Sequence, residues 1–105
     1  AAVETMARKL PVLGAWREAL RGARDLLAQL VAIEERVLGP EHPDTLLARH
    51  SRAYWIGQAG DAAAARDLFA GLLPTRERVL GPEHPNTLTT RHNLARWETM
   101  LTYRR

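Results

Sequence analysis

The chain has 105 residues, which suits one compact domain and is too short for two ordinary ones. Hydrophobic residues make up 46% and aromatic ones 6%, with Leu and Ala dominant and β-branched residues sparse, so helices are favoured over strands. The net charge is +3 and there is no Cys, which excludes disulfides, thiolate metal sites and a cysteine nucleophile. No apolar run approaches the roughly 20 residues needed to cross a bilayer. Ala1 to Leu13 lacks the basic-then-apolar order of a signal peptide. A cytoplasmic protein with no membrane contact is expected, and the pattern stops inside a repeat, as in a piece of a longer protein.

The spacing of apolar residues predicts about five helices, over 2–12, 14–38, 43–59, 61–80 and 85–103. Pro11 is expected to terminate or distort the first. Gly14 opens the second, which is four residues longer than the fourth when counted between bounding glycines. Four residues is close to one turn, so the buried face is nearly preserved. Gly39 and Pro40 close the second helix. Pro43 suits the first position of the third, and Asp44 favours the positive end of its dipole. Gly60 ends that helix and Asp61 is a good cap for the next. Pro74 lies inside the fourth helix, where a kink near Ala70 and Gly71 is expected rather than a break. Gly81 and Pro82 end it. Connections of a few residues make neighbouring helices antiparallel.

The chain repeats itself. Glu35 to Trp55 (ERVLGPEHPDTLLARHSRAYW) and Glu77 to Trp97 (ERVLGPEHPNTLTTRHNLARW) share 15 of 21 residues at an offset of 42. Ala23 to Val31 and Ala65 to Leu73 share six of nine at the same offset. A repeat of this length is the mark of a stacked array. One domain over 1–105 is expected, with a first hairpin over 1–42, a second over 43–84 and an incomplete third over 85–105.

These residues resemble the tetratricopeptide repeat family, in its longer 42-residue variety known from kinesin light chains and many actinobacterial regulators. Ala53, Gly60, Ala65 and Phe69 stand at the small, turn, small and bulky positions of the repeat. Ala7, Gly14, Trp16 and Ala19 fill the small, turn, aromatic and small positions of the first hairpin, and Asn93-Leu94-Ala95 is the triplet common in the long variety. Ser51 and Arg52 depart from that triplet. The resemblance implies an all-α fold, an α-α superhelix or right-handed solenoid of antiparallel hairpins. Its concave groove is lined by the first helix of each hairpin and holds a peptide or helix of a partner protein. Carried over position by position, the groove comprises Glu4 and Arg8, then His50, Ser51, Tyr54 and Gln58, then His92, Asn93 and Arg96. Asn93 matches a family residue that holds a ligand backbone, a reach Ser51 lacks.

Other residues are weighed against plainer roles. His42 and His84 sit in the linkers, where a turn-stabilising hydrogen bond is expected. His50 and His92 are expected to be polar lining, with a pH response as the alternative. No convergent ligand set points to a metal, and no cofactor is expected. Arg49, Arg52, Arg91, Arg96, Arg104 and Arg105 either capture an acidic peptide or simply face solvent. Trp16, Trp55 and Trp97 recur with the repeat and read as packing, which argues against nucleic acid. No nucleophile–base pair or phosphate loop appears, so the chain reads as a scaffold and not an enzyme. The alternative is a self-associating or regulatory repeat domain beside an ATPase or transcription-regulator module. The incomplete last hairpin is expected to leave Leu94, Trp97 and Leu101 partly uncovered, and a homodimer would cover them.

Overall fold

The computed structural model describes residues 2–103, with side chains described at 15 and from 17 to 103. Among these residues it holds four helices and no strand: α1 (Ala2–Val37), α2 (Pro43–Gln58), α3 (Ala62–Leu80) and α4 (Pro85–Tyr103). Each helix packs on the next. The connections, 38–42, 59–61 and 81–84, are short enough that consecutive helices reverse direction.

The break expected between residues 12 and 14 is absent. α1 runs for 36 residues through Pro11 and Gly14, so there are four helices rather than about five. At 1.5 Å per residue α1 is about 54 Å long, which matches the longest extent of the molecule, 54 Å. The physical reason is a missing cap. In the second hairpin Asp61 follows Gly60, and its Oδ1 accepts from Ala64 N at 3.1 Å. In the first hairpin Ala15 follows Gly14 and has no side-chain acceptor. Pro11 removes one helical hydrogen bond, whereas a turn at Gly14 would orphan several N–H and C=O groups at once. The helix therefore continues. α3 likewise remains helical through Pro74.

From residue 38 onward the ends follow local chemistry. His42 caps α2: its backbone is extended (φ −62°, ψ 140°), and its Nδ1 accepts from Asp44 N at 3.1 Å. His84 does the same for α4, accepting from Asn86 N at 3.1 Å. This is the turn-stabilising bond expected of both linker histidines. Gly39 and Gly81 take φ of 101° and 99° just after their helices, a region that side chains with a Cβ rarely enter. Gly81 N then donates to Glu77 O at 3.0 Å. Thr45 Oγ1 donates to Gly39 O at 2.8 Å, tying the start of α2 to the turn before it.

The core joins three helices: Ala53 and Ile56 of α2, Ala62, Ala65 and Phe69 of α3, and Trp97 of α4. Small residues let the helices approach while Phe69 fills the space between them. Trp97 is 3% exposed, and its ring lies against Gly57, where a side chain would overlap it. Trp97 is thus covered by α2, contrary to the expectation that the incomplete hairpin leaves it open. Leu94 and Leu101 are half-buried against the same core.

Candidate functional site

Arg76 is the centre of the polar contacts between helices. It lies on α3, is 4% exposed, and its Nη1 donates to Thr90 Oγ1 at 2.9 Å and to Asn86 O at 3.1 Å, both on α4. The same nitrogen lies 3.3 Å from Nδ1 of His50 on α2. Thr87 Oγ1 donates back to Arg76 O at 3.2 Å. One guanidinium therefore ties α2, α3 and α4 together. Burial first, and the nearby Arg49 charge second, pull Arg76 below the ordinary arginine value.

His50 was expected in the groove beside Ser51. It turns toward α3, with its ring edge-on to Phe69 at 5.2 Å between centroids and 71° between planes. Burial, and then the Arg76 charge, push its pKa below the ordinary histidine value. Nδ1 facing Arg76 is best used as an acceptor, which requires a neutral ring.

Ser51, Tyr54 and Gln58 lie along the seam between α1 and α2. Ser51 borders a cavity of about 230 Å³ with Leu27, Leu30, Glu34, Asp44, Leu47 and Ala48. Tyr54 and Gln58 border a second, of about 310 Å³, with Leu20 and Trp55. Gln58 Nε2 donates to Tyr54 Oη at 2.8 Å, and the Tyr54 ring stands edge-on to Trp55 at 5.3 Å. On α4, His92 and Arg96 are exposed and Asn93 is half-buried. Asn93 Nδ2 donates to Thr89 O at 2.9 Å. The Arg96 guanidinium sits 5.1 Å from the Trp97 ring centroid, within cation–π range. Arg91 pairs with Glu77 at 3.7 Å, whereas Arg96 has no acidic partner among the described residues. Glu4, Arg8 and Trp16 fall outside the described side chains, as do Arg104 and Arg105. The structure thus gathers Ser51, Tyr54 and Gln58 on one seam and His92, Asn93 and Arg96 on α4, and turns His50 away from both.

Two features were missed from the sequence. One is Arg76. The other is the apolar wall of the α1/α2 seam. At the repeat offset of 42, Leu30 corresponds to Leu72, yet Leu30 is 41% exposed and Leu72 0%. Glu34 corresponds to Arg76, and its Oε2 is buried with no hydrogen-bond partner. The only available signal was an Arg at 76 where the repeat offset puts Glu34, just before the well-matched stretches that begin at Glu35 and Glu77. Among the described residues no group of His, Asp and Glu could hold a metal ion, and no helix is long and apolar enough to cross a membrane.

Two family models described as tetratricopeptide repeat match the chain, one over residues 48–102 and the other over residues 14–44. The first alone covers more than half of it. No curated protein matches the chain.

Proposed function

The chain belongs to the tetratricopeptide repeat family, and from that premise we propose that it holds a peptide or helix of a partner protein along the first helices of its hairpins, α2 and α4. Repeats of this family are generally protein–protein interaction scaffolds without catalytic activity. The finer reading is that Ser51, Tyr54 and Gln58 on α2 and His92, Asn93 and Arg96 on α4 make the contact surface, with Arg8 at its far end. The repeat is of the long 42-residue kind, and residues 1–105 act as one unit in which α1 precedes the α2/α3 hairpin and α4 begins the next.

The observation that carries this reading is Arg96. It is exposed, has no described acidic partner, and is steadied over the Trp97 ring. Arg offers a forked donor to a carboxylate, and the chain is basic overall at +3. An acidic peptide is therefore the matching ligand, with charge setting on-rate and specificity and a few apolar anchors setting affinity. Fluorescence anisotropy of a labelled Glu-rich amphipathic peptide tests it. Saturable binding that weakens about tenfold in Arg96→Glu, as loss of a charge-assisted contact would give, supports the reading. Binding unaffected by that change contradicts it.

Self-association is the second reading, favoured by the uncovered apolar side chains Leu30 and Leu47.

A further inference from the structure

A cavity of about 220 Å³ lies behind α2, lined by Val31 and Glu35 of α1, Arg49 and Arg52 of α2 and Leu68 of α3. Arg49 stands two residues before Ser51, and Arg52 two before Tyr54, about 200° round the helix in each case. The cavity and the strip assigned to the peptide are therefore on opposite sides of α2. Val31 is buried, and Arg49, Arg52 and Leu68 are half-buried. The two guanidiniums thus sit against apolar walls, where charge is less screened than in open solvent.

The repeat shows what is unusual here. At the offset of 42, Glu35 corresponds to Glu77, Arg49 to Arg91 and Arg52 to Leu94. Between α3 and α4 one arginine meets one carboxylate: Arg91 pairs with Glu77 at 3.7 Å, and Leu94 packs on the core. Between α1 and α2 two arginines meet one carboxylate. Among the described residues neither Arg49 nor Arg52 forms an ion pair, with Glu35 or with any other acid. Arg52 Nε is buried with no hydrogen-bond partner. A buried N–H without an acceptor is costly, and so are like charges brought together in one apolar recess. Arg76 adds to the excess, since the Arg49 charge lies near enough to help burial pull it down.

We infer that this cavity binds a phosphate group, with Arg49 and Arg52 as its forked donors. Arg49, Arg52 and Arg76 against Glu35 leave an excess of two positive charges. A phosphate group carries about −1.5 to −2 at neutral pH, whereas a carboxylate would offset only half of that excess. Phosphate oxygens accept from two guanidinium forks at once and give Arg52 Nε its acceptor. The cavity is smaller than the roughly 300 Å³ of sites that enclose drug-sized ligands. It takes the phosphate and leaves outside whatever carries it. The group is either free phosphate or the phosphoserine of a partner protein, and the site is separate from the α4 surface around Arg96.

Thermal melts of the full chain in sodium phosphate, against sodium acetate at equal ionic strength, test it. Phosphate is expected to raise Tm saturably, as a ligand of the folded state does, and acetate is not. Arg52→Leu installs the residue that the other repeat carries at Leu94, and is expected to weaken phosphate binding about tenfold. Arg49→Met is expected to do the same should Arg52→Leu lose helicity by circular dichroism. Glu35→Gln removes the competing carboxylate and is expected to tighten binding about fivefold. Fluorescence anisotropy of a peptide with one phosphoserine, beside its unphosphorylated form, separates the two sources. A preference for the phosphorylated form that Arg52→Leu abolishes assigns the group to a partner protein, and a Tm rise in phosphate without that preference assigns it to free phosphate. An equal Tm rise in acetate overturns the inference. So does a rise that Arg52→Leu and Arg49→Met both leave unchanged, and so does the absence of both the rise and the preference. None of these results bears on binding of a Glu-rich peptide through Arg96, so the two readings fail separately.

Discussion

Arg76 Nη1 and Thr90 Oγ1 lie 2.9 Å apart in the interior of the three-helix contact, and the same guanidinium nitrogen reaches the Asn86 carbonyl and the His50 ring. Among the described residues no carboxylate pairs with it. A buried cation held only by neutral acceptors is costly to desolvate, so its retention reflects how many helix contacts it satisfies at once. α2 and α4 are positioned relative to each other through α3, and with them the two strips of surface assigned to the partner.

Removing that guanidinium is expected to loosen all three helices. Arg76→Ala should cost about 2 kcal/mol, from loss of charge-assisted hydrogen bonds and stem packing. Arg76→Met keeps the stem and removes the cation, so it should cost less. Urea unfolding followed by circular dichroism checks both. A loss in Arg76→Met equal to that in Arg76→Ala would assign the whole effect to the hydrogen bonds.

Two glycines should respond in opposite directions to the same substitution. Gly57→Ala places a methyl group in the Trp97 ring. Overpacking of that kind costs about 1–3 kcal/mol, against a helix-propensity gain of up to about 1 kcal/mol, so a net loss is expected. Gly22, in α1, has nothing within reach of an added Cβ, so Gly22→Ala should gain most of that propensity term. Thermal melts of the two variants give the comparison.

Asp61→Ala removes the N-cap of α3 and orphans Ala64 N. The expected loss is about 1 kcal/mol. Asp61→Asn keeps a side-chain acceptor and should recover most of it in the same melts.

Acid should weaken the fold through His50. Burial and the Arg76 charge hold this ring below its ordinary value of 6.5. On lowering the pH, the unfolded chain therefore takes up this proton before the folded one does. The contribution is fully present above about pH 6.5 and is lost progressively below it, until the folded ring also protonates. Stability measured in urea on either side of that value should fall on the acid side, and His50→Gln should fall less steeply.

The parts of the fold that were legible in the sequence are those set by local chemistry. Asp61, His42, His84, Gly39 and Gly81 each satisfy or terminate a backbone within a few residues, and the helices from residue 43 onward follow them closely. The continuity of α1 was not legible. Pro11 and Gly14 are ordinary breakers, and what decides against a turn is the absence of an acceptor at Ala15. His50 and His92 show the same limit at the site. They are equivalent in the repeat, yet His50 has α3 behind it and meets Arg76 and Phe69, while His92 lies on α4 and faces solvent. Identical sequence positions differ because their neighbours in space differ. The burial of Trp97 on Gly57 is likewise tertiary, fixed by how closely α2 approaches α4.

The most direct measurement of the partner-binding claim is backbone amide NMR of the full chain titrated with a Glu-rich amphipathic peptide. The account predicts saturable shifts clustered at Ser51, Tyr54 and Gln58 on α2 and at His92, Asn93 and Arg96 on α4. Shifts confined to the opposite faces, for example around Arg66 and Asp67 on α3, or no saturable shift at all, would contradict it.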